Sequence, residues 1–303
     1  SAFGSYLSPV VVEQIIENPD MIKERGGEER IMTALFSDIA DFSTISEALT
    51  PNELVDFINI YLTEMCEIIE RHGGTIDKFE GDAIVAFFGA PIYFENHASR
   101  AVMACIEQQG KIGELRESWK ALGALPAKLQ GIAESWSAAG KTFMQVRMGL
   151  AAGPMVVGNM GSKTRADYTM MGDTVNLASR LEGLQKYYGT SIAINGSIYD
   201  QVKGEIEARK LDDIRVLGKT ESVPVYEVLG MRGTLKDNDR AALALYQEGL
   251  NAYAEYRFST ARHMFEESLR LKPQDGPSSL YSQRCREYEI DPPQDLVFNM
   301  LQK

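Results

Sequence analysis

From Leu54 onward the apolar positions recur with helical spacing: Leu54, Phe57, Ile58, Tyr61, Leu62, Met65, Ile68 and Ile69 share one face of a 3.6-residue period, and Gly73-Gly74 ends the pattern. Just ahead, Thr50-Pro51-Asn52-Glu53 offers an N-cap, a Pro at the first helical position and a capping-box Glu, so a helix is predicted to start there. On either side the period shortens. Ile31 to Phe36 is a β-rich apolar run ending in Ser-Asp, and Thr75 to Phe79 and Ala83 to Phe88 are two strand-like runs around Glu80-Gly81-Asp82. Gly81 can take positive φ in that turn, so these two runs read as a hairpin. A helical stretch follows from about Asn96 through Leu122, a less regular one between Leu125 and Ala139, and strand signals return at Val146 to Ala151.

The order strand, helix, hairpin, helix, strand is the βαββαβ plan of a ferredoxin-like split unit. The predicted fold class is therefore α+β with a palm-type core, in which the helical material just before Val146 is an insertion. Downstream, Thr174 to Tyr188 reads as a helix, and strands are expected near Ser191 to Ile194, Ile214 to Leu217 and Pro224 to Val228. The predicted organisation is a lead-in over residues 1–30, a main domain over 31–230 and a small helical extension over 235–303. In that extension Gly249, Tyr253, Phe258, Ala261, Phe265, Leu269 and Pro273 fall where one tetratricopeptide-like helix pair places such residues, which marks a resemblance about one repeat long. Solenoids need about three repeats to bury a core, so the pair is expected to dock on the main domain or on a second chain, with a lone helical appendage as the alternative.

Charge and composition narrow the chemistry. Among 303 residues, 43 Asp and Glu against 31 Lys and Arg leave a net charge of −12, which argues against nucleic acid or an anionic membrane surface as the main partner. The longest apolar run, Ala83 to Ile92, is about half the ~20 residues of a membrane-spanning helix. Cys66, Cys105 and Cys285 lie far apart without a CxxC pair, which fits a reducing cytosol. His72, His97 and His263 are equally scattered, so neither a zinc site nor a Ser-His-Asp arrangement is supported. The chain opens Ser-Ala-Phe without Met. It reads as a fragment whose upstream module is missing, and Val10, Val11, Ile15 and Ile16 at helical spacing look like the lead-in from it. The lead-in does not identify that module as a receptor, membrane or sensor domain, and a membrane anchor in the full-length protein is left open.

In the split plan the third strand inserts between the first two, antiparallel to the first, so the end of strand one meets the start of strand three. That places Asp38 beside Asp82. Cross-strand neighbours have Cβ atoms about 4.5–5.5 Å apart, close enough for two carboxylates to share a pair of divalent cations about 3.5–4 Å apart. Taken singly, each Asp is an ordinary strand-end residue. The turn from Ile39 to Ser43 can point backbone N–H groups at phosphate oxygens, and Asn176 and Arg180, four apart on a predicted helix, share one face. Gly158-Asn159-Met160-Gly161-Ser162 looks like a phosphate loop but lacks the Gly-Lys-Ser/Thr ending, so it is read as a tight connection.

Three segments, Phe36-Ser37-Asp38-Ile39-Ala40-Asp41-Phe42-Ser43, Lys78-Phe79-Glu80-Gly81-Asp82 and Thr169-Met170-Met171-Gly172-Asp173-Thr174-Val175-Asn176-Leu177-Ala178-Ser179-Arg180, resemble class III nucleotidyl cyclases in sequence and order. Asp41 departs from the pattern, because the family commonly has Gly there. The resemblance implies an adenylate cyclase that converts ATP to 3′,5′-cyclic AMP and pyrophosphate in intracellular signalling, with two Mg²⁺ or Mn²⁺ ions on Asp38, Asp82 and the backbone of Ile39. It implies that Asn176 orients the ribose and Arg180 stabilises transition-state charge. Phe42, Ser43 and Lys219 would meet phosphates, while Lys78 and Thr169 would read adenine. It further implies a head-to-tail homodimer with sites shared between protomers, in a cytoplasmic fragment that binds no nucleic acid or membrane. A guanylate cyclase and a non-catalytic cyclase-like scaffold are the alternatives.

Overall fold

The computed structural model describes residue 16 and residues 26–122, 126–162, 166–216 and 221–300. Lys219 and the lead-in residues Val10, Val11 and Ile15 lie outside the described residues. Contacts divide the chain into two compact units, Ser1–Glu182 and Gly183–Lys303.

The first unit runs β1 (Gly26–Ile39), α1 (Phe42–Ala48), α2 (Pro51–Arg71), β2 (Gly74–Glu80), β3 (Ala83–Phe88), α3 (His97–Leu122), α4 (Ala127–Ala138), β4 (Val146–Gly161), β5 (Ala166–Met171) and into α5 (Asp173–Tyr188), where the division falls. Its strands lie in the order β2-β3-β1-β4. β3 is inserted antiparallel between β2 and β1, with Ser37 opposite Ile84. This is the expected split arrangement, and α4 occupies the expected insertion. The start of α2 is fixed locally. Thr50 N–H donates to Glu53 Oε2 at 2.8 Å, and the Glu53 N–H returns to Thr50 Oγ1 at 3.4 Å. Of the predicted apolar face, Phe57, Tyr61, Met65, Ile68 and Ile69 are buried, each such burial contributing about 1.5–3 kcal/mol.

β4 runs ten residues past its predicted end at Ala151. Of residues 158–162, expected as a tight connection, 158–161 instead pair with β5 and 158–159 also with β1, with Gly158 opposite both Gly27 and Thr169. Two strand backbones close in so tightly that a Cβ at Gly158 would lie 2.2 Å from the Gly26 carbonyl oxygen; the glycines that suggested a turn serve a close approach. Gly149 does the same under α5, where a Cβ would lie 2.1 Å from the Glu182 nitrogen. The helix therefore rests directly on β4.

The second unit contains β6 (Ile192–Asn195), α6 (Gly196–Val202), β7 (Ile206–Val216), β8 (Ser222–Met231), α7 (Asp237–Ala254), α8 (Phe258–Leu271), α9 (Gly276–Tyr288) and β9 (Phe298–Met300). Its strand order is β6-β8-β7-β9. The expected helix pair is α7 and α8, and a Cβ at Gly249 would meet the Phe265 ring at 2.7 Å. Unforeseen are the third helix, α9, and the edge strand β9. The helices dock on β7: Tyr246 and Tyr281 hydroxyls donate to the Lys210 and Leu211 carbonyls at 2.9 and 2.6 Å. Arg209 forks onto Asp275 at 2.7 and 2.8 Å. Among the described residues no helix is long and apolar enough to cross a membrane.

Candidate active site

Asp38 and Asp82 come together as expected. Asp38 is the penultimate residue of β1, and Asp82 sits in the turn between β2 and β3, where Gly81 has φ +69°. The Ile39 N–H donates to Asp82 Oδ2 at 2.8 Å, which ties the turn to the end of β1. Arg147, paired opposite Asp38 in the β1–β4 ladder, donates to Asp38 Oδ1 at 2.7 Å. From α5, Glu182 Oε1 approaches the Arg147 Nε at 3.2 Å, too poorly aligned for a hydrogen bond. Two carboxylates thus flank one guanidinium, and Asp82 feels its charge from further off. Burial, and then the Asp38 charge working against the Ile39 N–H, raise the Asp82 carboxyl above its ordinary value. Burial and the same Asp38 charge push Glu182 up to about 7, against the pull of Arg147.

Sequence reasoning missed Arg147 and Glu182. Arg147 carried only a register signal: once β4 is paired to β1, its second residue stands opposite Asp38. Glu182 lies two residues past Arg180, about 200° around the helix, so it faces β4 while Arg180 turns away. Ala178 and Leu181 are buried on the β4 side, Asn176 is exposed and Arg180 is partly exposed. Asn176 and Arg180, four residues apart on α5, share a face turned away from Glu182.

A second cluster forms around Lys78 and Thr169. Thr169 on β5 donates from Oγ1 to Asp77 Oδ2 at 3.0 Å, and Lys78 Nζ lies 3.5 Å from the same oxygen. Adjacent strand residues normally point to opposite faces, but a register shift between Ile76 and Lys78 interrupts the β2–β3 ladder. That irregularity brings both side chains to one point. Asp77 was not foreseen. Its side chain is 3% exposed, and burial raises its carboxyl against Thr169 and Lys78.

The strand-to-helix turn is partly committed. The Ile39 N–H serves Asp82 and the Ala40 N–H serves the Gln145 carbonyl at 2.8 Å, so neither of these two groups is free for a phosphate, and Phe42 and Ser43 open α1. Asp41 has φ 56°, a conformation that Gly adopts freely and Asp tolerates. Its carboxylate meets Lys141 Nζ at 3.3 Å. Among the described residues no group of three or more His, Cys, Asp or Glu side chains is placed to hold a metal ion. Asp38, Asp82 and the Ile39 carbonyl are hard oxygen donors of the kind Mg²⁺ and Mn²⁺ take, and the excess of carboxylates over cations around Arg147 fits a divalent ion.

The sequence profile of the adenylate and guanylate cyclase catalytic domain matches residues 27–229, and the chain belongs to that family. Adenylate cyclase 1 of Rhizobium meliloti (strain 1021) is 34% identical over 229 residues, covering 76% of this chain and 32% of that protein. The chain therefore spans about a third of that relative's length. Among solved structures, the adenylyl cyclase CyaB from P. aeruginosa is 34% identical with a TM-score of 0.59, covering 70% of this chain and 100% of that one. The guanylyl cyclase Cya2 is 30% identical with a TM-score of 0.53, covering 70% and 98%.

Proposed function

We propose that this chain is the catalytic part of an adenylate cyclase, converting ATP to 3′,5′-cyclic AMP and pyrophosphate in intracellular signalling. The observation that carries the reading is the meeting of Asp38 and Asp82 at the joined ends of β1 and β3. In this reading residues 31–230 form the catalytic domain, residues 235–303 are an extension, and the fragment works in the cytoplasm. Mg²⁺ or Mn²⁺, two ions held by Asp38, Asp82 and the Ile39 carbonyl, would supply the positive charge that acidifies the ribose 3′-hydroxyl and balances the triphosphate. Lys78 and Thr169 hold the adenine edge, Asn176 orients the ribose and Arg180 neutralises charge gathering on the α-phosphate as the 3′-oxygen attacks in line. Phe42 and Ser43 offer N–H groups to the phosphates, and Lys219 adds a cation.

The outward face of Asn176 and Arg180 favours a head-to-tail homodimer, in which these residues complete the acid pair of a second copy. Incubation of purified protein with ATP and Mg²⁺ or Mn²⁺ should yield cyclic AMP, and its absence at micromolar protein sinks the reading. Asp38→Ala and Arg180→Ala proteins should each be inactive alone and recover activity when mixed. A mixture that dimerises without recovery refutes shared sites. A preference for GTP would establish the guanylate cyclase alternative, which the likeness to Cya2 keeps in view.

A further inference from the structure

Asp77 is a charged group hidden in a strand, and both of its side-chain partners are residues assigned above to the purine. An acid that is 3% exposed must have partners to offset its lost hydration. Here they are the Thr169 hydroxyl at 3.0 Å and the Lys78 ammonium at 3.5 Å, both on Oδ2. A threonine hydroxyl can donate or accept, so Thr169 by itself matches either purine. An ionised carboxylate can only accept. With its proton committed to Asp77, Thr169 Oγ1 has only lone pairs left to offer, while Lys78 has donors to spare.

We propose that Asp77 is a specificity-determining positioning residue, which fixes Thr169 as an acceptor and Lys78 as a donor and so makes the site complementary to adenine. This rests on the adenylate cyclase reading and adds the residue that sets its base preference. Adenine offers a donor at its 6-amino group and an acceptor at N1, which meet Thr169 and Lys78 in turn. Guanine offers the reverse, a 6-oxo acceptor facing a lone pair and an N1–H facing an ammonium, so both of its edge groups go unpaired. Asp77 touches no substrate atom. It acts through Thr169 and Lys78.

The test is kcat/KM for ATP and GTP in wild type, Asp77→Asn, Thr169→Val and the double variant, with Mg²⁺ present. The side-chain amide that Asp77→Asn introduces can donate to Thr169 and turn its hydroxyl outward, so the ATP:GTP ratio should fall about 10- to 100-fold, chiefly through KM. In the Thr169→Val background the same Asp77→Asn change should leave the ratio within about twofold, because the hydroxyl it acts through is gone. Asp77→Glu, which keeps an ionised acceptor, should retain the preference. Equal losses on both nucleotides in Asp77→Asn, with the ratio held, would reduce Asp77 to a structural acid and overturn the proposal while leaving the adenylate cyclase reading intact. A wild-type protein that does not prefer ATP would instead overturn both. Should Asp77→Asn fail to fold, the wild type still decides. Inosine triphosphate carries guanine's 6-oxo and N1–H without its 2-amino group, and it should be rejected as strongly as GTP; turnover near that of ATP refutes the proposal.

Discussion

Each unit gathers a group of partly or fully buried acids, and the chain supports the two groups differently. In the second unit Asp275 receives both arms of Arg209, which also reaches Glu227 at 2.6 Å, and Asp212 receives Arg284 at 2.5 Å and the Tyr188 hydroxyl. Burial alone would raise Asp275, but its hydrogen bonds from Arg209 and Ser278 bring it below the ordinary carboxylate value. In the first unit Asp38, Asp82 and Glu182 have Arg147 among them, and both Asp82 and Glu182 are raised. Two guanidiniums among three acids hold α7 to α9 on β7, whereas in the first unit one guanidinium stands beside three carboxylates, a larger surplus of negative charge that the proposed divalent ion would offset.

The largest expected effect lies in the first unit. Asp38→Ala should cut cyclase turnover by about 10³-fold, the several kcal/mol that charge organisation at the phosphates is worth, while leaving the denaturant midpoint unchanged or higher. A large fall in that midpoint would mean that Asp38 is scaffold like Asp212. In the second unit Arg284→Ala should cost about 3–5 kcal/mol of stability by equilibrium unfolding, because Asp212 is left buried and unpaired. A cost under about 1 kcal/mol, the range of an exposed pair, would remove the contrast.

Glu182 sharpens the comparison through pH. Its carboxyl is raised from 4.5 to about 7 in the folded protein, so the native state holds a proton that the unfolded chain has released. The stabilisation is complete below the unfolded value and is lost as pH rises through the folded one. Between those values the metal-free wild type should lose about 1–2 kcal/mol relative to Glu182→Gln, allowing for solvent near the group. Parallel pH–stability curves for the two proteins would show that Glu182 is not strained. The smallest effect is expected from Asp82→Asn. Removing repulsion from Asp38 while keeping an oxygen for the Ile39 N–H should raise metal-free stability by about 1 kcal/mol, seen as a higher Tm.

Much of the frame was legible in the sequence because its causes are local. The Thr50-Pro51-Glu53 start of α2 depends on hydrogen bonds three residues apart, and the hairpin around Gly81 on one residue's freedom at φ. The strand order then followed from the split βαββαβ plan, and with it the meeting of Asp38 and Asp82. The full length of β4 was not legible, because Gly158 reads as a turn residue until a second backbone is known to pass 2.2 Å from its would-be Cβ. α9 escaped because Gly-Pro-Ser-Ser opens it with few apolar positions, and only the docked core of Tyr246, Phe265 and Tyr281 makes Tyr281 and Cys285 a buried face.

The sequence alone was enough to give the family and the order of the motif segments at the strand ends, since both are set by residues a few positions apart. What tertiary structure alone decided was which charges the motif side chains must live beside. Arg147 reaches Asp38 through β1–β4 register, Glu182 faces β4 through the rotation of α5, and Asp77 meets Thr169 because β2 breaks its ladder and β5 folds against it. The Asp38–Arg147 and Asp77–Thr169 pairings join residues about 90 to 110 positions apart, and separations of that order leave no trace in hydrophobic period or local motif until the sheet is assembled.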